Sequence, residues 1–159
     1  MPPDSLTKEA RSERMSRIRS VNTKAEIVVR HIVNEMGIRY QLHAKELPGR
    51  PDLAFNSKKC VIFVNGCFWH QHNCGHYKMP KSRTEYWLPK LKKNIQRDRQ
   101  NIAELKNGGW KVLVIWECEL REEYKVRRKI QRFLTGNWTS LFFRLKSWFN
   151  SILIILEKI

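Results

Sequence analysis

Two apolar runs separated by one long helical segment constrain the fold of this chain more than any other feature. The first run is CVIFV, which follows the polar turn NSKK, and the second is KVLVIWE, a near-continuous apolar run typical of a strand buried on both faces. Between them, 84–108 is predicted to be a helix with Pro89 in its first turn and a Gly-Gly pair at its end. Its apolar stripe consists of Leu88, Leu91, Ile95, Ile102 and Leu105. Because strand, helix and strand form a crossover, we predict that 61–65 and 111–116 are parallel neighbours. An α/β fold with a mixed sheet follows.

A capping-box pattern marks an earlier helix. Thr23 is followed by Glu26, and an apolar periodic run then ends at Gly37. The run contains Ile27, Val28 and Ile32. We predict a helix between these signals, with Glu26 either capping it or contributing an acid to a site. The next stretch, LPGRPDLAF at 47–55, is predicted to form a strand that pairs with CVIFV through the NSKK turn.

The charge balance points to a polyanionic partner. The chain has 159 residues, with 31 Lys and Arg against 15 Asp and Glu, and a formal net charge of +16. Its length suits one compact domain. An excess of positive charge on this scale indicates binding to nucleic acid or to an anionic membrane surface. Aromatic residues mixed through the basic segments favour nucleic acid, because flat rings can stack on bases.

The two ends of the chain differ from its middle. Residues 1–20 lack the apolar stretch of a secretory signal and are rich in arginine and helix formers, so we expect an intracellular, cytoplasmic protein with a basic helix there. Residues 137–159 have amphipathic helical spacing, but their longest apolar run, Ile152–Leu156, is too short to cross a bilayer. This tail is either a packed helix or an interfacial or partner-binding helix, and we expect no stable membrane association.

Cysteine and histidine cluster in CVIFVNGCFWHQHNCGH, and one more cysteine follows the second apolar run. In a reducing compartment such residues are metal ligands or buried thiols rather than disulfides. The spacing C-x4-H-x-C and the remote cysteine predict a tetrahedral, structural zinc site. Its expected ligands are Cys67, His72, Cys74 and Cys118. His76 is the rival nitrogen ligand, Cys60 is expected to be a core thiol, and reduced cysteines without metal are the alternative.

One carboxylate and one imidazole are the candidates for hydrolytic chemistry. Asp52 enters a strand directly after a proline, where nucleases place a metal-binding acid, although Pro-Asp is also an ordinary turn pair. His70 lies among aromatics in the loop after CVIFV and can donate or accept a proton, or it is a fifth metal ligand or a surface imidazole. The neighbouring rings Phe68, Trp69 and Trp87 either wedge into a base stack or belong to the core.

Four segments together resemble the very short patch repair endonucleases. They are LPGRPD, CVIF-x-x-GCFWH, RTEYWLPKLKKNIQRDR and GGWKVLVIWEC. The resemblance covers about 7–135 and implies a PD-(D/E)xK restriction-endonuclease-like mixed sheet flanked by helices, with structural zinc and catalytic Mg²⁺. It also implies a nick on the 5′ side of the T in a T:G mismatch left by deamination of 5-methylcytosine. We therefore assign 1–136 to the endonuclease domain and no role to 137–159.

The resemblance assigns roles to the candidate residues. It implies that Asp52 and the backbone carbonyl of Val64 bind Mg²⁺, that His70 acts on the attacking water or the phosphate, and that Glu26 supports the active site. It implies that Cys67, His72, Cys74 and Cys118 bind zinc, and that Phe68, Trp69 and Trp87 intercalate beside the mismatch. The basic first helix is implied to clamp duplex DNA from the opposite groove and to contact phosphates. Its contact residues are Arg14, Met15, Arg17 and Arg19.

The chain departs from the family pattern at Asn65, where some members carry a histidine. An amide cannot exchange a proton near neutral pH, so a second catalytic imidazole is absent at this position. Two other readings remain open. One is a non-catalytic zinc module that binds distorted duplexes, and the other is a membrane-surface protein anchored by its tail. We expect a monomer that acts on double-stranded DNA and works with repair-pathway proteins.

Overall fold

The structure is a computed structural model that describes residues 21–80 and 83–135, together with Thr7, Glu9, Ala10 and Glu13. The tail at 137–159 lies outside the described residues, as do the DNA-contact residues expected in the first helix. These are Arg14, Met15, Arg17 and Arg19. The predictions made for them therefore stay predictions.

Four strands and three helices make up most of the described part of the chain. In chain order these are α1 (Lys24–Glu35), β1 (Gln41–Leu42), β2 (Leu53–Phe55), β3 (Cys60–Asn65), α2 (Thr84–Asn107), β4 (Lys111–Trp116) and α3 (Glu123–Thr135). Short 3-10 helices at Asn56–Lys58 and Glu117–Glu122 link β2 to β3 and β4 to α3.

The strands form a mixed sheet in the order β1-β2-β3-β4. β1 and β3 each pair antiparallel with β2, and Phe55 is opposite Cys60 across the tight turn. β3 and β4 are parallel, with Cys60 opposite Lys111 and Asn65 opposite Trp116. The predicted crossover through α2 and the predicted hairpin at the NSKK turn are both confirmed.

Side chains alternate between the two faces of the sheet and divide the core in two. The larger cluster joins β2 and β3 to α1 and α3 and includes Val29, Leu53, Ile62, Ile115 and Ile130. The smaller cluster lies on the face of α2 and includes Ala54, Val61 and Leu105. The sheet is therefore flanked by helices on both sides.

The ends of the helices follow the sequence signals. The Thr23 hydroxyl accepts from the Glu26 N–H at 3.2 Å, and the Glu26 side chain accepts from the Thr23 N–H, so the predicted capping box is present. Gly37 has φ 68° just after α1, and Gly109 has φ 78° just after α2. Both positions lie in the left-handed region that favours glycine, so they end their helices as expected.

Three local expectations were wrong. Ile27 is 53% exposed, whereas Val29 and Val33 are fully buried, so the buried stripe of α1 is rotated from the predicted one. In β4 only Ile115 is buried, because β4 is an edge strand of this sheet and not a central one. Pro89 was expected in the first turn of its helix, but α2 begins at Thr84, which places Pro89 inside the helix.

No helix in the described part of the chain combines the length and the apolar character needed to cross a membrane.

Candidate active site and metal centre

A cleft of about 980 Å³ lies where the start of α1, the entry to β2, the end of β3 and the middle of α2 meet. Residues singled out from the sequence line it, although they come from distant segments. They are Glu26, Asp52, Val64, Asn65, Trp69 and His70. The candidate carboxylate and the candidate imidazole therefore face the same space, which is the minimum condition for action on one phosphate.

Asp52 lies directly before β2 and points its carboxylate across to β3. Its Oδ2 accepts a hydrogen bond from the Val64 N–H at 2.7 Å. Burial raises the pKa of Asp52 to about 6, the Val64 hydrogen bond opposes that rise, and the nearby Glu26 carboxylate adds to it. A buried carboxylate in this condition gains from a cation, because a positive charge would restore its ionised form.

Glu26 caps α1 and also lines the cleft, so its position suits both of the roles that the sequence left open. Its carboxylate caps α1 and also accepts from the Asn22 N–H at 2.9 Å, and its side chain is almost completely buried. Arg30, one turn further along α1, donates to Glu26 Oε2 at 3.0 Å. Both oxygens of Glu26 thus have protein partners, while its position lines the cleft beside Asp52.

His43 lies between these two acids and was missed by the sequence analysis. Its Nε2 is 3.8 Å from Glu26 Oε2, and its Nδ1 is 3.8 Å from Asp52 Oδ1. The ligand-type atoms of Glu26, His43 and Asp52 all lie within 4.8 Å of one another. No periodicity marks His43, because it occupies the turn just after the two-residue strand β1.

His70 is held by a residue that was also missed. Its Nδ1 is hydrogen bonded to Oδ2 of Asp98, which lies on α2. A signal for Asp98 did exist, since it lies on the apolar stripe of α2 between Ile95 and Ile102. A charged residue on the buried side of a helix needs a partner, and here the partner is the imidazole.

Gly49 brings the loop that carries Asp52 against the same helix. Gly49 has φ 73°, and a Cβ on it would lie 2.8 Å from Asn101 Nδ2 and 3.0 Å from Asn101 Cβ. A Cβ here would force Asn101 or the loop to shift, and the positive φ also favours glycine, which gives the glycine of LPGRPD a packing reason. Asn101 is close to Asp98 along α2, so the two halves of the cleft rest on one helix.

The three rings expected to intercalate form one cluster, and one of them, Trp69, lines the cleft. The Phe68 centroid is 5.0 Å from that of Trp69 and 5.3 Å from that of Trp87, in edge-to-face geometry. Lys90 Nζ lies 5.6 Å from the centroids of both Trp69 and Trp87. All three rings are half-buried, so they are neither core residues nor free surface residues.

Beyond the cleft, the structure brings together the four residues expected to bind zinc. The sulfur atoms of Cys67, Cys74 and Cys118 and a nitrogen of His72 lie within 4.8 Å of one another. His72 Nδ1 is 3.7 Å from Cys67 Sγ and 3.4 Å from Cys118 Sγ. His76, the rival ligand, contacts Arg121 at 3.2 Å instead.

The chemistry of this cluster fits a zinc ion. Burial raises the pKa of the Cys67 thiol to about 12 and also raises the pKa of Cys118, whereas a backbone hydrogen bond from His76 lowers the pKa of Cys74. Three sulfurs and one imidazole are a common tetrahedral zinc set. The ring of His72 stacks on Trp116 at 4.1 Å between centroids, which fixes the direction of its nitrogens.

Comparisons with known proteins find relatives that are DNA-cleaving enzymes. The family model for DNA mismatch endonuclease Vsr matches residues 3–76. Type II nicking enzyme V.XorIIP of Xanthomonas oryzae pv. oryzae (strain KACC10331 / KXO85) is 43% identical over 131 residues, covering 82% of this chain and 96% of the relative. DNA mismatch endonuclease Vsr of Escherichia coli (strain K12) is 42% identical over 119 residues, covering 75% of this chain and 76% of the relative.

Among solved structures, the catalytic domain of homing endonuclease I-Bth0305I superposes with a TM-score of 0.48 at 26% identity, covering 70% of this chain and 94% of that domain. The relatives are nucleases, so the reading as a zinc module without catalysis loses its support. The chain is a member of the Vsr family of DNA mismatch endonucleases.

Proposed function

We propose that this endonuclease nicks one DNA strand on the 5′ side of the T in a T:G mismatch arising from deamination of 5-methylcytosine, by Mg²⁺-assisted hydrolysis of the phosphodiester. One observation carries the proposal: Asp52 and His70 line the same cleft, and each is held by its own partner. A carboxylate and an imidazole at one phosphate are enough for metal-assisted attack by water.

Asp52 and the Val64 backbone carbonyl are the proposed Mg²⁺ ligands. Oxygen donors suit this ion, and the buried Asp52 carboxylate provides the charge. When bound there, Mg²⁺ would polarise the phosphate and stabilise charge on the leaving 3′-oxygen. The Val64 N–H keeps one Asp52 oxygen in a defined direction, and Asp52 lines the cleft.

His70 is the proposed proton carrier. Asp98 accepts at Nδ1, so the Nε2 atom is the one left for a water or a phosphate oxygen. A carboxylate behind the imidazole fixes the tautomer and orients the ring, as in other hydrolases. Glu26 is proposed to support the site from α1 rather than to exchange protons, since capping and Arg30 occupy its oxygens.

Zinc is proposed to be structural and to tie the loop after β3 to the end of β4. All four positions of a tetrahedral ion would be filled by Cys67, His72, Cys74 and Cys118, which leaves none for substrate. His70 lies within that tied loop. The ion would therefore hold the proposed proton carrier in place without entering the reaction.

Selection of the mismatch is assigned to the ring cluster. Phe68, Trp69 and Trp87 are proposed to enter the base stack, and this costs less at a weakly paired T:G step than at a matched one. Phosphate contacts would come from exposed basic side chains on α2, which predicts affinity that falls steeply with salt. These are Lys92, Lys93, Arg97 and Arg99.

A panel of end-labelled duplexes tests the proposal. We expect nicking of a T:G duplex at a defined bond 5′ of the T, no comparable nicking of the matched C:G and T:A duplexes, and no product when Mg²⁺ is omitted. Equal nicking of matched and mismatched duplexes would contradict the specificity. Full activity in EDTA at a pH where the zinc centre survives would contradict the Mg²⁺ assignment.

A further inference from the structure

The backbone at His43 is held in an unusual conformation beside the cleft. His43 has φ 48°, in the left-handed region that a residue with a side chain enters at a cost of about 1 kcal/mol or more. Its N–H donates to the backbone carbonyl of Asp52 at 3.2 Å, directly after the pair formed by Leu42 and Leu53. The strained turn therefore fixes His43 next to Asp52 through the main chain.

The surroundings of the imidazole fix the direction of the ring. Arg30 Nη2 lies 3.3 Å from His43 Nε2. The other ring nitrogen, Nδ1, faces Asp52 Oδ1 at 3.8 Å. Arg30 in turn is anchored by Glu26, so the ring of His43 is held from α1.

The two oxygens of the Asp52 carboxylate therefore face different neighbours. The Val64 N–H binds Oδ2 at 2.7 Å, and His43 Nδ1 lies 3.8 Å from Oδ1. The hydrogen bond at one oxygen and the imidazole beside the other limit the rotation of the carboxylate about its Cβ–Cγ bond. That rotation decides which lone pairs point into the cleft.

We propose that His43 is a positioning residue, which orients the Asp52 carboxylate for binding a divalent cation and touches neither the cation nor the DNA. The proposal rests on the assignment of Asp52 as a cation ligand under the proposed function. Partners that orient a ligand in this way generally change metal affinity by about 10-fold to 100-fold when they are removed.

Two substitutions separate the imidazole from the backbone strain. His43→Asn keeps a residue that tolerates positive φ but is too short to reach Asp52, whereas His43→Gln keeps an N–H donor of greater length. His31→Asn is the matched control, because the His31 side chain is 72% exposed and pairs with Glu35 outside the cleft. Thermal unfolding of each full-length variant reports any general loss of stability.

The readout is Mn²⁺ binding to the full chain, followed by the electron paramagnetic resonance signal of the free ion. We expect about 10-fold weaker binding in His43→Asn, partial recovery in His43→Gln and no change in His31→Asn. In nicking assays kcat should fall in His43→Asn while KM for DNA stays constant. Unchanged Mn²⁺ affinity in His43→Asn, or an equal loss in His43→Asn and His43→Gln, would overturn the proposal.

Asp52→Asn distinguishes failure of this inference from failure of the proposed function. If Asp52→Asn loses Mn²⁺ and nicking while His43→Asn keeps both, only the role of His43 is wrong. If Asp52→Asn binds Mn²⁺ as tightly as the unaltered chain, Asp52 is not the ligand, and both proposals fall at that residue.

Discussion

Two clusters of ligand-type side chains lie in this molecule, and they differ in what satisfies them. Cys67, His72, Cys74 and Cys118 contact mainly one another. The second cluster, Glu26, His43 and Asp52, is equally tight, with its ligand-type atoms within 4.8 Å. Its members, however, have protein partners in Val64, Arg30 and the cap of α1, and they open onto the cleft.

This difference separates a site that needs an ion from a site that is organised without one. Mutually facing thiols gain their full stabilisation only when a cation replaces their protons. A carboxylate already oriented by a backbone N–H group is ready for a cation that exchanges with solvent during a reaction. The first arrangement suits structure and the second suits catalysis, and three substitutions can break or sharpen that contrast.

The largest effect is expected from Cys74→Ser. Binding of zinc to a site of this type supplies on the order of 10 kcal/mol, which is comparable to the total stability of a small domain. We expect the variant to lose zinc and to be largely unfolded at 37 °C, as measured by metal analysis and circular dichroism. Cys60→Ser is the control, because Cys60 is buried outside the cluster and should leave zinc content unchanged. A stable, zinc-free Cys74→Ser protein would refute the structural role.

Asp52→Asn should remove activity without removing the fold. Loss of a charged metal ligand is expected to cost about 4 kcal/mol of transition-state stabilisation, which is a fall of about 1000-fold in nicking rate. DNA affinity and zinc content should stay near those of the unaltered chain, measured by gel shift and metal analysis. Glu104→Gln makes the same chemical change on an exposed part of α2 and should be silent. Nicking by Asp52→Asn at the normal rate would contradict a catalytic role for the second cluster.

The same substitution should increase stability in a pH-dependent manner. Burial raises the pKa of Asp52 from 3.8 to about 6, so the folded protein binds the proton more tightly than the unfolded chain does. The stability that this proton binding contributes is fully present below pH about 4 and is lost as the pH rises through about 6. The loss lowers the free energy of unfolding by about 3 kcal/mol.

Asn carries no charge, so Asp52→Asn should be more stable than the unaltered chain by up to about 3 kcal/mol at pH 8, with the difference vanishing near pH 4. Urea unfolding at both pH values without added Mg²⁺ measures this difference. A gain that does not depend on pH would show that the buried charge is not its cause.

Thr23→Ala should produce the smallest effect. It removes the hydroxyl that caps α1 and should cost about 1 kcal/mol of stability. Arg30 still holds Glu26, so nicking at 25 °C should change less than in Asp52→Asn. Thr135→Ala, at the exposed end of α3, is the matched control. A loss of activity as large as that of Asp52→Asn would show that the cap itself organises the second cluster.

The sequence predicted the features that local patterns determine. The period of the apolar residues gave the crossover between β3 and β4, and the Thr23 and Glu26 spacing gave the start of α1. The zinc-type set was also accessible, because three of its members lie within one loop and the strand register brings Cys118 beside them.

What escaped prediction depends on contacts between distant segments. His43, Arg30 and Asp98 have ordinary local surroundings, and only the folded chain brings them to Asp52, Glu26 and His70. Of these three residues, only Asp98 has a recognisable signal in the sequence, because it is a charged residue within the apolar stripe of α2. The extent of burial in β4 depended on strand order, which local periodicity does not encode.

The close approach of Gly49 to Asn101 and the hydrogen bond of His70 to Asp98 give α2 a mechanical role. The same helix contacts both the loop that carries Asp52 and the imidazole of His70, and the two contacts lie about one helical turn apart. A side chain at position 49 would collide with Asn101 and push the Asp52 loop away from α2, while the contact between His70 and Asp98 would remain. The distance between Asp52 and His70 would then change from one side only.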